Sequence, residues 1–399
     1  MTNIAILGFG VVGGGVADLI TKNYAEVTRL GGDDINIKYI LDLRDFPDSP
    51  FAERVVHDFN IILNDKSVDT VIEVMGGSHP AYEFTVGALN AGKNVITSNK
   101  EVVANFGDEF LSLAEKNGVS YRFEAAVGGG IPVISPMISC IGQNKICEVR
   151  GILNGTTNYI LTKMFSFGDS FESALKDAQE RGYAERNPDA DILGTDAARK
   201  IVILSALATG KLVSVDNIHT EGITGIRKAD VACAEKIGCK IKLLGRCINE
   251  GDAPYIMVAP FMLGDDSALS GVAGVYNAIE VVGEPLGNVM FYGKGAGAGA
   301  TASAVVGDLM QTMNLGSKGS PKFEKQNCVK DFGSFCARHY LAFEAGSEKT
   351  VESVFGKVDF IDSEECAILT SVLSEGEIEE KIAQLKAKGV TLLSNIRLL

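Results

Sequence analysis

The feature that most constrains the fold is a glycine pattern close to the N-terminus. Residues 3–7 form a short apolar run that leads directly into a glycine-rich turn and then an apolar, helix-periodic stretch. A strand, a tight glycine turn and a helix start are the arrangement that binds a dinucleotide, with the helix N-terminus facing the pyrophosphate. We therefore predict an α/β fold that opens with a doubly wound Rossmann domain over residues 1–135. The turn residues expected at the cofactor are Gly8, Phe9, Gly10, Val11, Val12 and Gly13.

The second predicted strand, residues 35–43, bears on the choice of cofactor. An acid at this strand end holds the ribose hydroxyls of NAD, whereas an arginine accommodates the 2′-phosphate of NADP. Asp42, Arg44 and Asp45 all lie at this end. The sequence therefore leaves NAD and NADP open, with Arg44 favouring NADP.

Two further strands bring polar residues to the same edge of the predicted sheet. The strand in 69–77 ends in Gly76 and Gly77, and the strand at 94–98 delivers Ser98 and then Lys100. Ligands of doubly wound folds bind at the carboxyl ends of the strands. Lys100 either faces such a ligand or is a solvated lysine at the start of a helix.

Glu124 enters a glycine-rich turn at the end of a strand predicted over 120–132. Inward-turned carbonyl groups near Gly128–Gly130 would form, with this acid, an oxygen-lined site for a hard cation. A plain turn with a half-buried glutamate is the alternative.

The stretch 182–200 concentrates acids ahead of a lysine, followed by an apolar helix. Asp196 and Lys200 are four residues apart, so they share a helix face. A surface ion pair is one interpretation, yet the following turns are apolar on every side and favour burial. A lysine near a core among carboxylates is a candidate for proton transfer.

The middle of the chain, residues 136–310, predicts an α+β domain with a mostly antiparallel sheet. Strands are expected near 145–153, 219–226, 240–248 and 255–263 and within 275–294, and helices at 197–209 and 229–236. Asn154, Gly155 and Thr156 form a turn that opens a helix. Their amide and hydroxyl groups hold a carboxylate or only cap the helix.

Composition bounds the classes of partner and the location of the chain. The 399 residues carry a formal net charge of −14, which argues against nucleic acid, since that partner requires clustered Lys and Arg. The eight cysteines form no CxxC pair, which favours reduced thiols and a cytoplasmic protein. The longest apolar runs are too short for a membrane span.

The C-terminal part begins with a polar stretch, 311–334, that is predicted to be a linker. Residues 335–399 then predict a strand-helix-strand-strand-helix-strand order, which is ferredoxin-like.

Several motifs together resemble homoserine dehydrogenase. They are GFGVVGGGV, VITSNKEVVA, EAAVGGGIPVI, GILNGTTNYIL, AQERGYAERNPDADILGTDAARK, EGIT and FYGKGAGAGATASAVVGD, in the family's order over about residues 3–310. The resemblance implies NAD(P)-dependent interconversion of L-homoserine and L-aspartate 4-semialdehyde in threonine, methionine and isoleucine biosynthesis. It also implies a Rossmann domain completed by residues 296–315, a substrate and dimerisation domain, and a homodimer or tetramer.

The resemblance assigns roles by matching position. Lys200 looks like the proton donor and acceptor, and Lys100 like its partner near the nicotinamide. The implied substrate residues are Glu185, Asp191, Asp196, Asn154, Gly155, Thr156 and Tyr183. Further implied cofactor contacts are Ser98, Lys100, Gly182, Glu185 and Gly297, beside Gly76 and Arg44. The implied cation site, for Na⁺, is formed by Glu124 with the carbonyls of Val127, Gly129 and Ile131.

The C-terminal part resembles the ACT regulatory module of many such enzymes, although its first loop lacks the usual aspartate-proline-glycine sequence. L-threonine inhibition and a structural or dimerising role are both open. Two other functions compete with the resemblance. Aspartate-semialdehyde dehydrogenase requires a cysteine–histidine pair that the four histidines do not provide, and a non-catalytic nucleotide sensor would have no need of Lys100 and Lys200.

Overall fold

The computed structural model describes residues 1–326 and 328–399. Its main chain divides into two compact units. The first comprises Met1–Ile146, Val202–Val215 and Val281–Asn327, and the second comprises Cys147–Ile201, Asp216–Glu280 and Cys328–Leu399.

The strands are numbered in chain order. They are β1 (Thr2–Leu7), β2 (Ile35–Leu41), β3 (Val55–Val56), β4 (Thr70–Glu73), β5 (Asn94–Thr97), β6 (Tyr121–Arg122), β7 (Lys145–Ile152), β8 (Lys211–Leu212), β9 (His219–Thr220), β10 (Cys239–Ile248), β11 (Tyr255–Gly264), β12 (Tyr276–Glu284), β13 (Gly287–Lys294), β14 (Glu324–Lys325), β15 (Cys336–Phe343), β16 (Asp359–Ile361), β17 (Cys366–Leu369), β18 (Leu373–Ser374) and β19 (Leu392–Leu398).

The helices are numbered in the same way. They are α1 (Val11–Lys22), α2 (Tyr24–Gly31), α3 (Phe59–Asn64), α4 (Ala81–Asn90), α5 (Lys100–Asn117), α6 (Ile134–Ser139), α7 (Gly155–Phe167), α8 (Phe171–Glu180), α9 (Asp189–Ile192), α10 (Thr195–Thr209), α11 (Lys228–Lys236), α12 (Ala298–Leu315), α13 (Glu348–Phe355) and α14 (Glu375–Ala387). Of the helices in the described part of the chain, none has the length and apolar character needed to cross a membrane.

The first unit contains a parallel sheet in the order β3-β2-β1-β4-β5-β6. The chain builds outward from β1 to β3 on one side and then from β4 to β6 on the other. This reversal is the switch point of a doubly wound sheet, and ligands bind beyond the carboxyl ends of the strands beside it. The predicted Rossmann domain is therefore confirmed.

Helices cover the sheet of the first unit, which explains why β1 is apolar along its whole buried length. Ile4 and Ile6 of β1 are fully buried with Val16 of α1 and Leu309 of α12 in one core. A parallel sheet buried on both faces requires such continuous apolar strands. Helix α12 continues to Leu315, so it includes the first residues of the predicted linker.

The larger sheet has the order β13-β12-β7-β10-β11-β19-β15-β17-β16. Strand β10 pairs antiparallel with β7 and β11, and β15 pairs antiparallel with β17 and β19. The predicted mostly antiparallel sheet is therefore present. Strand β11 also makes parallel pairings in this sheet, with β9 and with β19; in the pairing with β19, Phe261 and Met262 lie opposite Arg397 and Leu398.

That parallel pairing joins the C-terminal elements to the rest of the second unit. The predicted succession of strands and helices is found from β15 to β19, with the short β18 added before α14. These elements have a core of their own, which includes Leu341, Ile368 and Ile378. Their sheet nevertheless continues edge to edge into β11, which no local sequence pattern predicts.

Two predicted strands are much shorter than expected. The strand over 120–132 is confined to β6, because Glu124 starts a 3-10 turn and its carboxylate binds amide groups further along the chain. The strand over 219–226 is confined to β9, because the chain leaves the sheet and meets the carbonyl group of Ile192 at Gly222.

Candidate active site

The glycine turn between β1 and α1 is shaped by close approach of the main chain. Gly8 has a φ of +94°, which L side chains rarely adopt. A Cβ atom on Gly13 would lie 1.9 Å from the carbonyl oxygen of Gly8, so no side chain fits there. Gly10 has no neighbour within 4 Å of the same position, which leaves space above the start of α1. This open helix start suits a pyrophosphate group.

A cavity of about 660 Å³ lies beside this turn, at the carboxyl ends of β1, β2 and β4. Its volume lies within the usual range for small-molecule and cofactor sites. Much of its lining is apolar, with Met75 and Phe84 among the contributors. Of the predicted cofactor residues, those in its wall are Gly8, Gly10, Val11, Val12 and Arg44.

The ring of Phe9 contacts neighbouring aromatic rings, while its main chain contacts the acid at the end of β2. Its ring centroid lies 5.0 Å from that of Phe46 and 6.1 Å from that of Phe51. Its N–H group donates to Asp42 over 2.8 Å. Phe9 therefore anchors the turn to β2 by its main chain.

Asp42 and Arg44 form a bidentate ion pair in the wall of this cavity. The Nε and Nη2 atoms of Arg44 donate to the two carboxylate oxygens over 2.9 and 3.0 Å. The hydrogen bond from Arg44 is the main cause that lowers the pKa of Asp42. The arginine side chain is 63% exposed and its guanidinium lies over the Phe46 ring.

The turn after β5 positions Ser98 and Lys100. Between them, the Asn99 side chain caps α5 by accepting from Glu101 N and donates to the Gly77 carbonyl over 2.7 Å. Lys100 is the first residue of α5 and is half-buried. These residues lie at the carboxyl edge of the sheet, as predicted.

The Glu124 carboxylate is fully engaged by main-chain donors. The N–H groups of Val133, Ile134 and Ser135 donate to its two oxygens over 2.7, 2.8 and 2.7 Å. Asp308 of α12 accepts the N–H group of Glu124 itself over 2.8 Å, and burial raises the pKa of Asp308 to about 8. The hydrogen bonds of Glu124 and Asp308 therefore hold both ends of the turn that follows Glu124.

That turn contains the residues of the predicted cation site. Val127 and Ile131 are buried, and Gly129 has a φ of +55°. A Cβ atom on Gly129 would lie 2.5 Å from the carbonyl oxygen of Gly295. Main-chain oxygen atoms are the ligands that hard cations prefer. Because the Glu124 carboxylate already accepts three hydrogen bonds, the main-chain carbonyl oxygens are the groups of this turn that suit a cation as ligands.

Lys200 lies in the second unit, one turn into α10, and only 8% of its surface is exposed. Its Nζ atom donates to Asp196 over 2.7 Å and to the carbonyl oxygen of Leu153 over 2.7 Å. The lysine is therefore a buried ammonium group held by one carboxylate and one carbonyl. The carbonyl partner has no signal in the sequence, because any residue type supplies it.

Asn154 connects this pair to a second acid. Its Nδ2 atom donates to Asp191 over 2.6 Å and to Asp196 over 2.9 Å. Its Oδ1 atom accepts the N–H group of Thr157 and so caps α7. The predicted capping of the helix is therefore present, and the same side chain also donates to the two acids.

The pKa of the Asp191 carboxyl group is raised from its usual value. Burial raises the pKa of its carboxyl group, and the Asp196 charge raises it further. The hydrogen bond from Asn154 and the charge of Lys200 act in the opposite direction. Two acids, an amide and a lysine thus form one connected polar cluster in a buried setting.

The other predicted substrate residues lie around this cluster. Thr156 donates to the carbonyl oxygen of Tyr183 over 2.6 Å, and the Tyr183 ring packs edge-on against Tyr159. Tyr183 is 43% exposed, and Gly182 and Glu185 are also at the surface. The structure thus brings Asn154, Asp191, Asp196 and Lys200 together and leaves Glu185 outside that buried group.

Comparison with known proteins identifies the family. Residues 8–124 match the model of the NAD-binding domain of homoserine dehydrogenase, and residues 132–310 match the model of homoserine dehydrogenase. A homoserine dehydrogenase of Bacillus subtilis is 36% identical over 98% of this chain and 90% of its own. The chain belongs to the homoserine dehydrogenase family.

Solved structures agree with the family in fold. The crystal structure of a homoserine dehydrogenase from Thiobacillus denitrificans superposes with a TM-score of 0.92 at 32% identity, covering 100% of this chain and 98% of that one. A hyperthermophilic archaeal homoserine dehydrogenase mutant in complex with NADPH has a TM-score of 0.67 at 29% identity, covering 78% and 97%.

The reaction of this chain follows from its membership of the homoserine dehydrogenase family. The chain is a nicotinamide-dependent oxidoreductase that interconverts L-homoserine and L-aspartate 4-semialdehyde. The resemblance inferred from the motifs is confirmed, and the two competing functions are excluded.

Proposed function

We propose that Lys200 is the acid–base group of homoserine dehydrogenation in this protein. The observation that carries the proposal is the buried chain of contacts from Lys200 through Asp196 and Asn154 to Asp191. It unites the one buried lysine of α10 with polar groups that suit an amino-acid substrate. Proton-transfer groups are typically found where charged partners and burial meet.

The chemistry follows from the two directions of the reaction. The nicotinamide, when bound, accepts a hydride from the substrate carbinol carbon or returns it. In oxidation, the neutral Lys200 amine takes the hydroxyl proton as the carbon–oxygen double bond forms. In reduction, the Lys200 ammonium gives that proton back to the oxygen. Asp196 stabilises the ammonium form and holds its Nζ atom in place.

Asp191 and Asp196 are proposed to bind the substrate's ammonium and hydroxyl groups. Asn154 orients both carboxylates, which supports this assignment, since a fixed acid loses less entropy on binding. Gly155, Thr156 and Tyr183 are proposed to line the same site. Glu185, which is exposed, is proposed as a contact to substrate and cofactor.

The nicotinamide cofactor is proposed to occupy the cavity beside Gly10. The exposed guanidinium of Arg44 supports acceptance of NADP, because an arginine near the end of this strand would accommodate a 2′-phosphate. The archaeal relative bound to NADPH is consistent with this preference. Lys100 is proposed as the second catalytic lysine. The further nicotinamide contacts we propose are Gly76, Ser98, Gly182 and Gly297.

A monovalent cation, Na⁺, is proposed to bind the carbonyl groups of the turn from Glu124 to Ile131. The clamped geometry of Gly129 supports this site, and the ion would hold the turn in place. Dialysed enzyme should then regain activity and thermal stability on titration with NaCl. No response of either quantity to Na⁺ would contradict the site.

The domain organisation we propose keeps residues 335–399 as an ACT-like part, and the assembly is proposed to be a homodimer or tetramer. Light scattering measures the assembly. Titration of the full-length protein with L-threonine up to millimolar concentration separates the two roles. A fall in rate indicates an effector site, and an unchanged rate favours a structural role.

Lys200→Met tests the central proposal. L-homoserine oxidation, followed by the absorbance of the reduced nicotinamide, should lose at least about 100-fold in kcat, the lower range for general acid–base catalysis. Lys176→Met is the matched control, because Lys176 is an exposed lysine of the same unit, 78% accessible. A Lys200→Met enzyme within threefold of the control would overturn the assignment.

A further inference from the structure

A buried arginine near the C-terminus joins the C-terminal elements to the middle of the chain within the second unit. Arg397 of β19 is 3% exposed. Its Nε and Nη2 atoms donate to the two carboxylate oxygens of Glu375 over 2.6 and 2.9 Å. Its Nη1 atom donates to Glu221 over 2.6 Å. Glu375 belongs to the C-terminal elements, whereas Glu221 follows β9 in the middle of the chain.

Glu221 belongs to a segment that packs directly against the loop between Asp191 of α9 and Asp196 of α10. Its N–H group donates to the carbonyl oxygen of Val258 in β11 over 2.8 Å, which holds the segment on the sheet. The next residue, Gly222, is so close to the loop that a Cβ atom would lie 2.0 Å from the carbonyl oxygen of Ile192. The N–H group of Ile223 donates to that same oxygen over 2.9 Å.

The loop approaches this segment from its other end as well. A Cβ atom on Gly194 would lie 3.3 Å from the carbonyl oxygen of Glu221 and 3.4 Å from the Thr220 side chain. Ile192 follows Asp191 directly, and Gly194 precedes Asp196 by two residues. Asp191 in α9 and Asp196 in the first turn of α10 therefore flank a short loop, residues 193–194, that rests on the residues around Glu221.

We propose that Arg397 is a positioning residue for Asp191 and Asp196, acting through Glu221 and Gly222. The ion pair fixes the position of Glu221. The close contacts at Gly222 and Gly194 then hold the loop against Glu221, and this keeps Asp191 and Asp196 in position for the substrate. This inference rests on the proposed binding of substrate by these acids. It gives the C-terminal strand a direct part in the affinity for the amino-acid substrate and none in cofactor binding.

The contacts that run from Arg397 through Glu221 and Gly222 to Ile192 are expected to be stiff. Packed main-chain atoms at such distances cannot be compressed, because protein interiors are close-packed and respond to displacement by shifting neighbours. The Glu221 side chain is 37% exposed, so its carboxylate would turn further toward solvent when the Arg397 guanidinium that holds it is removed. The loop would follow or lose its support.

Arg397→Met tests the proposal in the full-length protein. We expect the KM for L-homoserine to rise about fivefold or more, a typical coupling between linked sites, with the KM for the nicotinamide cofactor unchanged. Arg338→Met is the matched control, because Arg338 lies on the neighbouring β15 with its side chain 45% exposed and its acidic partner Asp359 4.0 Å away. The control should leave both KM values unchanged.

Two further variants protect the test against misfolding. Glu221→Gln keeps the shape of the side chain and removes only its charge, and it should raise the homoserine KM in the same way. Arg397→Lys keeps a positive charge and should restore part of the affinity. An unchanged homoserine KM in Glu221→Gln, or equal rises for substrate and cofactor in Arg397→Met, would overturn the proposal.

Amide hydrogen exchange separates this proposal from the proposed function. In Arg397→Met, exchange should accelerate at residues 189–196, with no turnover involved. If Asp191→Asn leaves the homoserine KM unchanged, the role of that acid in binding fails, while faster loop exchange still supports the mechanical link. Unchanged exchange at 189–196 rejects the link itself.

Discussion

Asn154 combines a structural and a functional task, so its removal makes a sharp prediction. The Asn154→Ala variant loses the cap of α7, worth about 1 kcal/mol. It also loses two donated hydrogen bonds to carboxylates, each worth roughly 1.5–3 kcal/mol when a charged group is involved. Counting the cap and only one of those bonds, since the contributions are not additive, the free energy of unfolding should fall by at least about 2.5 kcal/mol.

A control from the same unit isolates the capping contribution. Ser170 caps α8 by accepting the N–H group of Ser173 over 3.2 Å, and its side chain has no part in the acid cluster. Ser170→Ala should therefore lose only about 1 kcal/mol. Urea unfolding curves of the two variants give the comparison, and activity gives a second one, since only Asn154→Ala should raise the KM for L-homoserine.

The variant Asn154→Asp tests the reasoning from the opposite direction. Aspartate caps a helix as well as asparagine does, but it adds a third carboxylate beside Asp191 and Asp196 and donates no hydrogen bond at neutral pH. It should therefore be at least as destabilising as Asn154→Ala near pH 7 and recover as the pH is lowered. If Asn154→Ala is no more destabilised than Ser170→Ala, the bonds to the two acids contribute nothing, and the cluster is not held as described.

Three other predictions concern the first unit. Gly10→Ala should fold normally and weaken cofactor binding. Gly13→Ala should destabilise the unit, because the Cβ atom added at Gly13 would meet the main chain of Gly8. Gly14→Ala, whose Cβ atom would meet open space, is the control for both variants. Arg44→Ser should raise the KM for NADP and spare that for NAD, and equal effects on both would contradict the assigned preference. Asp308 has a pKa raised to about 8 from 3.8, so its folding contribution is lost as pH rises through that interval, with a slope of up to about 1.4 kcal/mol per pH unit. Asp308→Asn should flatten this decline in urea midpoints between pH 5 and 8, and parallel profiles would argue against it.

The features that sequence predicted well are local ones. The glycine turn after β1 depends on neighbours within a few residues, and the Asp196–Lys200 pair depends only on helical spacing. The order of elements from β15 to β19 follows from alternating apolar patterns. Each of these is set by contacts near in sequence, for which residue type and spacing carry the information.

The features that sequence missed depend on which distant segments meet. The strand at 219–226 ended early because Gly222 meets the loop at Ile192, thirty positions earlier in the numbering. The strand predicted over 120–132 ends at Arg122, because the Glu124 carboxylate accepts three amide N–H groups that follow it around the turn. The bond between Arg397 and Glu221 joins residues that no local pattern relates. Such contacts follow from the tertiary fold. A single sequence shows the residues on each side of a contact but not that they meet.

The pairing of β11 with β19 has a consequence for the order in which the protein is made. β11 ends at Gly264 and β19 begins at Leu392, so at ordinary translation speeds the edge at Phe261 and Met262 waits on the order of ten seconds for its partner. During that interval a nascent chain presents an unpaired strand edge, which is a template for association with another chain. β9, made earlier, already covers the neighbouring positions Met257 and Val258. A ribosome that stops before Leu392 releases a chain with that edge still open, so premature termination should yield aggregates in place of a weakened enzyme.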